Sequence, residues 1–341
     1  MKEKLKVLVL FNCDSRPAPD QDFSKWIDDD KNEDWAPERE VVRALSRLGH
    51  DIKTLGLFDD INVLGNRLKA DPVDVVFNLT EHFHGQDRYD ANIAGVLEVM
   101  GVPFTGAGAI ALMLCRNKSV SKKLLAFHRI KVPRFVVFER GKLVRWPKPM
   151  KFPLLVKPLT KDASEGIAQS SFTDNDKDLR ERVFYIHDSL NTDVIAEEYI
   201  DGRELYVSVI GKERLTVLPV REMKFGLTPE DAPRVATYKA KWDREYRKRW
   251  QLTNVFAGKL PDGVEEELES ICKKAYRVLM LEGYARFDFR LSENKEPFLI
   301  EANPNPLLTT DDEIAQSAAK ADISYDELIR KILSLALQKK E

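Results

Sequence analysis

The chain has 341 residues, enough for two or three domains around a substantial core. Its formal net charge is −2, with both signs spread along the chain, and no apolar run approaches a membrane span, so neither a nucleic-acid nor a membrane partner is expected. The three cysteines, Cys13, Cys115 and Cys272, are far apart and form no CxxC pair, which argues against a disulfide framework or a zinc site and indicates the reducing cytoplasm.

The first part of the chain alternates strands and helices. "KVLVLFN" reads as a strand, "EREVVRALSRLGHDIKTLGL" as a helix and a strand, and "DPVDVVFNLTE" as a third strand. "DANIAGVLEVMGVPFTG" then reads as a helix, a stop at Gly101 and a further strand. This alternation predicts a mostly parallel sheet, with ligands beyond the carboxyl ends of its strands. We expect this α/β domain to cover residues 1–113, with a long Asp- and Pro-rich loop inserted at 14–37.

From Lys118 onward the pattern changes. "KSVSKKLLAFHRI" predicts a helix, "KVPRFVVF" a strand, and "FPLLVKPLTKDASEGIAQS" a strand, a loop and a strand. "DVIAEEYIDGRELYVSVIG" predicts two strands separated by an Asp-Gly turn. Residues 226–254 are polar and basic and match no buried element, whereas "EEELESICKKAYRVLML" and "ISYDELIRKILSLALQ" predict amphipathic helices. We expect one subdomain at 114–196 and another at 197–341.

The segment "RFDFRLSENKEPFLIEANPNP" predicts a hairpin with charged residues on one face. Alternation of side chains places Asp288 opposite Glu301, and Arg286 opposite Asn303. Facing carboxylates destabilise a strand pair unless a cation lies between them. Two carboxylates and an amide are ligands suited to Mg2+. At this point two interpretations stay open: a metal site, or a strand pair whose acids are balanced by Arg286 and Arg290.

Two lysines add to the metal interpretation. Lys157 ends the apolar strand "FPLLVKP", and Lys118 opens the helix in "CRNKSVSKK". Each alone is typical of a surface charge. Together with an acidic oxygen site they predict a cradle for a nucleoside triphosphate, because lysine acts as a point charge on phosphate oxygens.

In this order along the chain, the motifs resemble the ATP-grasp superfamily, specifically its D-alanine–D-alanine ligase-like carboxylate–amine ligases. The resemblance covers most of the chain through "EREV", "GVLEVMGVPFTGAGAIALMLCRNKSVSKKLL", "LLVKP", "AEEYIDGREL" and "RFDF…IEANPNP". The absence of a GxxxxGK[ST] run fits it too, since this fold holds phosphates between sheets. The implied fold is a Rossmann-like parallel sheet followed by a two-subdomain ATP-grasp region of α+β type.

The resemblance implies residues that bind ATP and metal. The nucleotide residues would be two phosphate lysines, the adenine-contacting segment and a ribose contact: Lys118, Lys157, Glu197, Glu198, Ile200 and Glu204. Two Mg2+ ions, or Mn2+ in their place, would be held by Asp288, Glu301 and Asn303. The implied catalytic residues are Arg286 at the acyl phosphate, Glu38 at the first substrate, Lys241 of a mobile lid at the γ-phosphate, and Ser164 of the glycine-containing loop "KDASEGI".

The implied reaction phosphorylates a small carboxylate with ATP, and an amine then attacks the acyl phosphate, releasing ADP and phosphate. Amino acids or peptides are the expected substrates, and a homodimer is expected because members of the family are often dimers. Two other functions stay open. One is a small-molecule kinase that stops at phosphoryl transfer, and the other is a nucleotide-binding protein without turnover.

The sequence departs from the family pattern around both amino-acid pockets. Ala163 stands at the first loop serine, and Trp242 stands at a lid tyrosine. Leu307 stands at a glycine that helps bind the oxyanion. Acids at 311–313 suit either a cationic amine or the start of a helix, where the helix dipole favours acidic residues.

Two histidines in the first domain leave a further question open. His82 and His84 share a face of an extended segment, which suggests a second metal site. They have no further soft ligand nearby in the sequence. The alternative is that His84 or Glu81 lies near the acyl phosphate.

Overall fold

The N-terminal domain is built on a parallel sheet. The computed structural model describes residues 4–13, 35–142, 144, 150–228 and 233–338. Strands β1 (Lys6–Asn12), β2 (Asp51–Leu57) and β3 (Val75–Asn78) form the parallel sheet in the order β2-β1-β3. The prediction of a parallel sheet is therefore confirmed. The expected strand after Gly101 is wrong, because that segment makes only a single parallel bridge between Phe104 and Val76.

Helices α1 (Ala36–Arg47) and α2 (Asn62–Ala70) connect these strands, and helix α3 (Asp90–Met100) follows β3. Gly101, with φ 68°, ends α3 in the left-handed conformation that glycine adopts at no steric cost. Helix α1 starts at Ala36, with a proline in its first turn. The loop predicted at 14–37 is therefore wrong at its last two residues, and its segment 14–34 lies outside the described residues.

Two short helices lead into the rest of the chain. They are α4 (Ala109–Arg116) and α5 (Lys118–Phe127), and Asn117 separates them. The Asn117 side chain accepts hydrogen bonds from the backbone N–H groups of Ser119 and Val120, which is the N-cap arrangement that satisfies the first turn of α5. This cap fixes Lys118 at the first position of α5.

The central sheet is antiparallel. Its strands are β4 (Phe135–Phe138), β5 (Leu154–Pro158), β6 (Phe172–Thr173) and β7 (Val194–Glu198), in the order β4-β7-β5-β6. Helix α6 (Asp176–Ser189) covers it, burying Leu179, Val183 and Ile186 in a core with Leu154 and Val156. The strand predicted after the glycine-containing loop is reduced to the two residues of β6.

The C-terminal sheet is larger. Its strands are β8 (Arg203–Gly211), β9 (Leu215–Val217), β10 (Arg221–Phe225), β11 (Leu252–Phe256), β12 (Gly283–Leu291) and β13 (Pro297–Pro304), in the order β11-β10-β8-β12-β13 with β9 on β8. Between β10 and β11 lie the short helices α7 (Tyr238–Trp242) and α8 (Arg244–Trp250). The prediction that 226–254 holds no buried element is wrong at β11, which pairs with β10 and buries Leu252.

Three further helices complete the fold: α9 (Val264–Val278), α10 (Glu313–Lys320) and α11 (Tyr325–Leu337). Helix α9 buries Cys272 and Tyr276 against the C-terminal sheet. Helix α11 instead shares a core with the N-terminal sheet, where Leu328 and Ile332 pack with Val7 of β1. Among the described residues, no helix is long and apolar enough to cross a bilayer.

Candidate active site

A cleft lies between the central and C-terminal sheets. Residues of both sheets line it. Its lining includes nine of the thirteen residues predicted from sequence: Lys157, Ser164, Glu197, Glu198, Ile200, Glu204, Lys241, Asp288 and Glu301. Two more contact this lining, since Arg286 bonds Asp288 and Lys118 pairs with Glu301. The structure thus brings residues from β5, β7, β8, β12, β13 and the lid to one place.

The hairpin β12–β13 has the predicted register. Asp288 pairs with Glu301 and Arg286 with Asn303, and the register shifts immediately after Asp288. Arg286 donates two hydrogen bonds to Asp288, Nε to Oδ1 at 2.8 Å and Nη2 to Oδ2 at 3.1 Å. Glu301 Oε1 lies 2.8 Å from Lys118 Nζ. In this structure each facing acid therefore has a cationic partner from the chain itself.

Both members of the Lys118–Glu301 pair are held in their charged forms. Burial opposes ionisation of Glu301, but Lys118 and Lys157 outweigh it and lower its pKa to about 2. Burial likewise opposes the charge on Lys118, and Glu301 and Asp162 outweigh it, raising the pKa of Lys118 above its usual value. Arg290 pairs with Glu204 at 3.0 Å rather than with the hairpin acids. Of the two arginines proposed to balance these acids, only Arg286 does so.

The donor set at the hairpin fits a divalent cation. Glu301 is ionised and Asp288 is on the facing strand. Asn303 does not line the cleft, but its amide side chain lies two residues after Glu301 on the same face of β13. These are hard oxygen donors of the kind that Mg2+ takes, usually together with substrate phosphates. Within the described ranges, no group of three or more His, Cys, Asp or Glu side chains could hold a metal, so an ion here would depend on the amide and on ligand oxygens.

A second charged cluster lies behind the cleft. Glu197 is buried, with Oε2 2.9 Å from Lys157 Nζ and Oε1 3.2 Å from Lys122 Nζ. Burial raises the pKa of Glu197, but the two lysines outweigh burial and hold it below its usual value. Lys122 was not predicted from sequence as a site residue. The available signal was its position four residues after Lys118, on the same face of α5.

Residues 236–242, in the basic segment before β11, are packed on the glycine-containing loop, residues 161–167. Trp242 Nε1 donates to the Ala163 carbonyl at 2.9 Å, and Ser164 Oγ donates to the Ala236 carbonyl at 2.9 Å. The backbone N–H of Tyr238 donates to the Ile167 carbonyl at 3.0 Å. With Lys241 lining the cleft, this part of the chain covers the site as a lid would. The indole of Trp242 thus contacts the main chain of Ala163, and both are positions at which the sequence departs from the pattern it resembles.

Glu38 does not line the cleft. It is on α1 of the N-terminal domain, half-buried, and no described residue gives a hydrogen bond to its buried Oε2 atom. Burial, with repulsion from Glu81, raises its pKa to about 7. A carboxylate oxygen that has no donor among the described residues is suited to a cationic group on a ligand.

Two of the three acidic residues that follow the hairpin make contacts within the protein. Asp312 is the N-cap of α10 and accepts a hydrogen bond from the Glu313 N–H at 2.6 Å. The Glu313 carboxylate is buried and pairs with Arg221 at 2.9 Å. These contacts favour the helix-start interpretation for both residues, which leaves Asp311 exposed nearby.

The two histidines of the first domain have no metal-binding neighbours among the described residues. The His82 ring lies 2.7 Å from the Asn12 amide nitrogen, and the His84 ring stacks on Phe58 at 6.3 Å. The structure thus gives no support to a metal site at these histidines.

Comparison with known proteins identifies the family. Residues 124–334 match the family model described as "D-ala D-ala ligase C-terminus". The chain belongs to the D-alanine–D-alanine ligase family. It is also 31% identical over 303 residues to the uncharacterized protein y4sG of Sinorhizobium fredii, covering 87% of this chain and 86% of the relative. A D-alanine–D-alanine ligase of Moorella thermoacetica is 27% identical over 303 residues, covering 87% of this chain and 92% of that protein.

Solved structures agree with this assignment at the level of fold. The D-alanine–D-alanine ligase of Bacillus anthracis, solved with ATP, has a TM-score of 0.75 and 20% identity, covering 98% of this chain and 97% of that one. VanG D-Ala:D-Ser ligase of Enterococcus faecalis has a TM-score of 0.71 and 19% identity, covering 98% of this chain and 100% of that one. The ATP-grasp fold predicted from the motifs is therefore confirmed.

Proposed function

We propose that this member of the D-alanine–D-alanine ligase family is an ATP-dependent carboxylate–amine ligase. The observation that supports it best is that Lys157 and Lys241 line the same cleft as Asp288 and Glu301. Cations suited to a triphosphate and acids suited to its metal ions thus line the same cleft. In this proposal the domain of residues 1–113 contributes to binding the first substrate. The two subdomains, residues 114–196 and 197–341, enclose the nucleotide.

The reaction needs neutralisation of charge more than covalent help from the chain. Lys118, Lys157 and Lys241 would take phosphate oxygens as the γ-phosphoryl group passes to a carboxylate, because that charge spreads over oxygen atoms in the transition state. Arg286, held by Asp288 at 2.8 Å, would stabilise the oxyanion formed when an amine attacks the acyl phosphate. The lid would exclude water, which otherwise hydrolyses an acyl phosphate.

Mg2+ fits the hairpin and would be held by Asp288, Glu301 and Asn303. When bound, it would neutralise phosphate charge and orient the triphosphate. In the structure Lys118 pairs with Glu301, and Arg286 pairs with Asp288. With a metal ion bound to the two acids, the Lys118 and Arg286 side chains would be available to phosphate and acyl phosphate oxygens.

The substrates are proposed as a small amino acid or peptide-like carboxylate and a small amine. Glu38, with no partner for Oε2 in the part of the chain described, would bind an ammonium group on the first substrate. Ala163 and Trp242 replace the serine and tyrosine of the family pattern, so the first substrate need not be D-alanine. Asp311, exposed beside α10, would favour a cationic second substrate over an anionic one.

The test is release of ADP and phosphate across pooled amino acids, D-amino acids and polyamines, with mass spectrometry of the products. A ligase gives ADP, phosphate and an amide in equal amounts, and each depends on both substrates. ADP release that is independent of every amine, with a phosphorylated product, would replace this proposal with a small-molecule kinase. ATP binding without any turnover, unaffected by Asp288→Asn, would indicate a nucleotide-binding protein instead.

A further inference from the structure

Lys122 is among the most deeply buried charged side chains described in the structure. It is 1% exposed on α5, and its Nζ donates to the Ile300 carbonyl at 2.6 Å. The same Nζ lies 3.2 Å from Glu197 Oε1. A buried ammonium group is costly unless it is paired and hydrogen-bonded. Burial lowers the pKa of Lys122 below its usual value, and Glu197 opposes this effect. The fold places the Lys122 ammonium group between β7 and β13, immediately behind the cleft.

Glu197 is shared by two lysines. Its Oε1 atom is next to Lys122, and its Oε2 atom lies 2.9 Å from Lys157 Nζ. Lys157 also lines the cleft, so the same lysine can pair with Glu197 or with a phosphate bound in the cleft.

The position of Lys122 determines how strongly Glu197 can hold Lys157. If Lys122 were neutral, Glu197 would have Lys157 as its only lysine partner within the distances of a salt bridge in the described structure. The Lys157 ammonium would then stay in an internal ion pair, which is stronger in a buried setting than in water. With Lys122 present, Glu197 shares its charge between two cations, and Lys157 keeps attraction for an external anion.

We propose that Lys122 is a positioning residue that makes Lys157 available to phosphate by sharing the charge of Glu197. It does not touch the nucleotide itself. Through the Ile300 carbonyl it also fixes the backbone next to Glu301. The inference rests on the proposed function of the cleft, and it assigns a role to a lysine that the sequence motifs leave out.

The test is calorimetric binding of two probes, a non-hydrolysable ATP analogue with Mg2+ and inorganic tripolyphosphate, to the full chain. Lys122→Met should weaken both by about tenfold, because Lys157 then stays paired with Glu197 and its charged hydrogen bond to a phosphate oxygen is lost. Lys123→Met, on the exposed side of the same helix, should bind as the wild type does. The double variant Lys122→Met/Glu197→Gln should recover most of the tripolyphosphate affinity, because Lys157 no longer has a competing carboxylate.

Thermal unfolding of each variant shows whether it is folded. If Lys122→Met does not fold, Glu197→Gln serves in its place and should bind tripolyphosphate more tightly than the wild type. Unchanged affinity in Lys122→Met, additive losses in the double variant, or weaker tripolyphosphate binding by Glu197→Gln would each overturn the inference. Failure of the wild type to bind the ATP analogue would instead overturn the proposed function.

Discussion

Glu38 should lower the stability of the protein at neutral and alkaline pH. Its pKa is raised from 4.5 to about 7, chiefly by burial. Below about pH 4.5 the carboxyl is protonated in both the folded and the unfolded chain, so it contributes nothing. Between pH 4.5 and 7 only the unfolded chain releases the proton, so stability falls as the pH rises. Above pH 7 the cost is constant, up to about 3 kcal/mol at 1.36 kcal/mol per pKa unit.

Glu38→Gln should remove this cost. The variant should be more stable than the wild type at pH 8 by up to about 3 kcal/mol, and equal to it at pH 4. Urea unfolding followed by tryptophan fluorescence at several pH values measures the difference. Glu293→Gln, in the exposed turn of the hairpin, is the matched control and should show no such dependence. A Glu38→Gln variant that is no more stable at pH 8, or equally stabilised at pH 4, would refute the reasoning.

Three other variants follow from the structure. Glu301→Gln should lose ATP turnover, and its unfolding free energy should fall less than that of the wild type between about pH 4.5 and 2, because only the wild type loses the Glu301–Lys118 ion pair there; an equal fall in the two proteins would contradict this. Trp242→Phe lacks the donor to the glycine-containing loop. With the ATP analogue bound, trypsin should cut this variant in the lid several-fold faster than it cuts the control variant Trp250→Phe. Equal cleavage rates would show that the Trp242 hydrogen bond is dispensable. Gly202→Ala should lower the unfolding free energy by more than about 3 kcal/mol in urea titrations, because its Cβ would lie 2.0 Å from a backbone oxygen of β12; an unchanged midpoint would show that the turn can shift.

The hairpin at 286–306 could be predicted because its information is local. Alternation with a period of two fixes which side chains share a face, and the turn fixes the register, so Asp288 and Glu301 could be paired from sequence. Lys118 was predictable for a similar reason, since the Asn117 cap determines where α5 begins. The fold could be predicted from the order of the motifs along the chain.

What was missed depends on tertiary packing. A lysine four residues after another on a helix is usually a solvated charge, and only the packing of α5 against β7 and β13 shows Lys122 to be buried. Strand β11 follows a strongly basic run, and its pairing with β10 is visible only once the sheet is formed. Phe104 reads as part of a strand, but only one residue there bridges to β3.

The contacts between lid and loop have a consequence for substrate preference. Both side-chain bonds, from Trp242 and from Ser164, end on main-chain oxygen atoms. Every residue type carries such an oxygen, but Ala163 has a left-handed backbone with φ 52°. Glycine or asparagine at this position would therefore keep closure intact, whereas a β-branched residue would strain the loop. The side chain at position 163 can thus change during evolution, without opening the site to water, only among residues that accept this conformation.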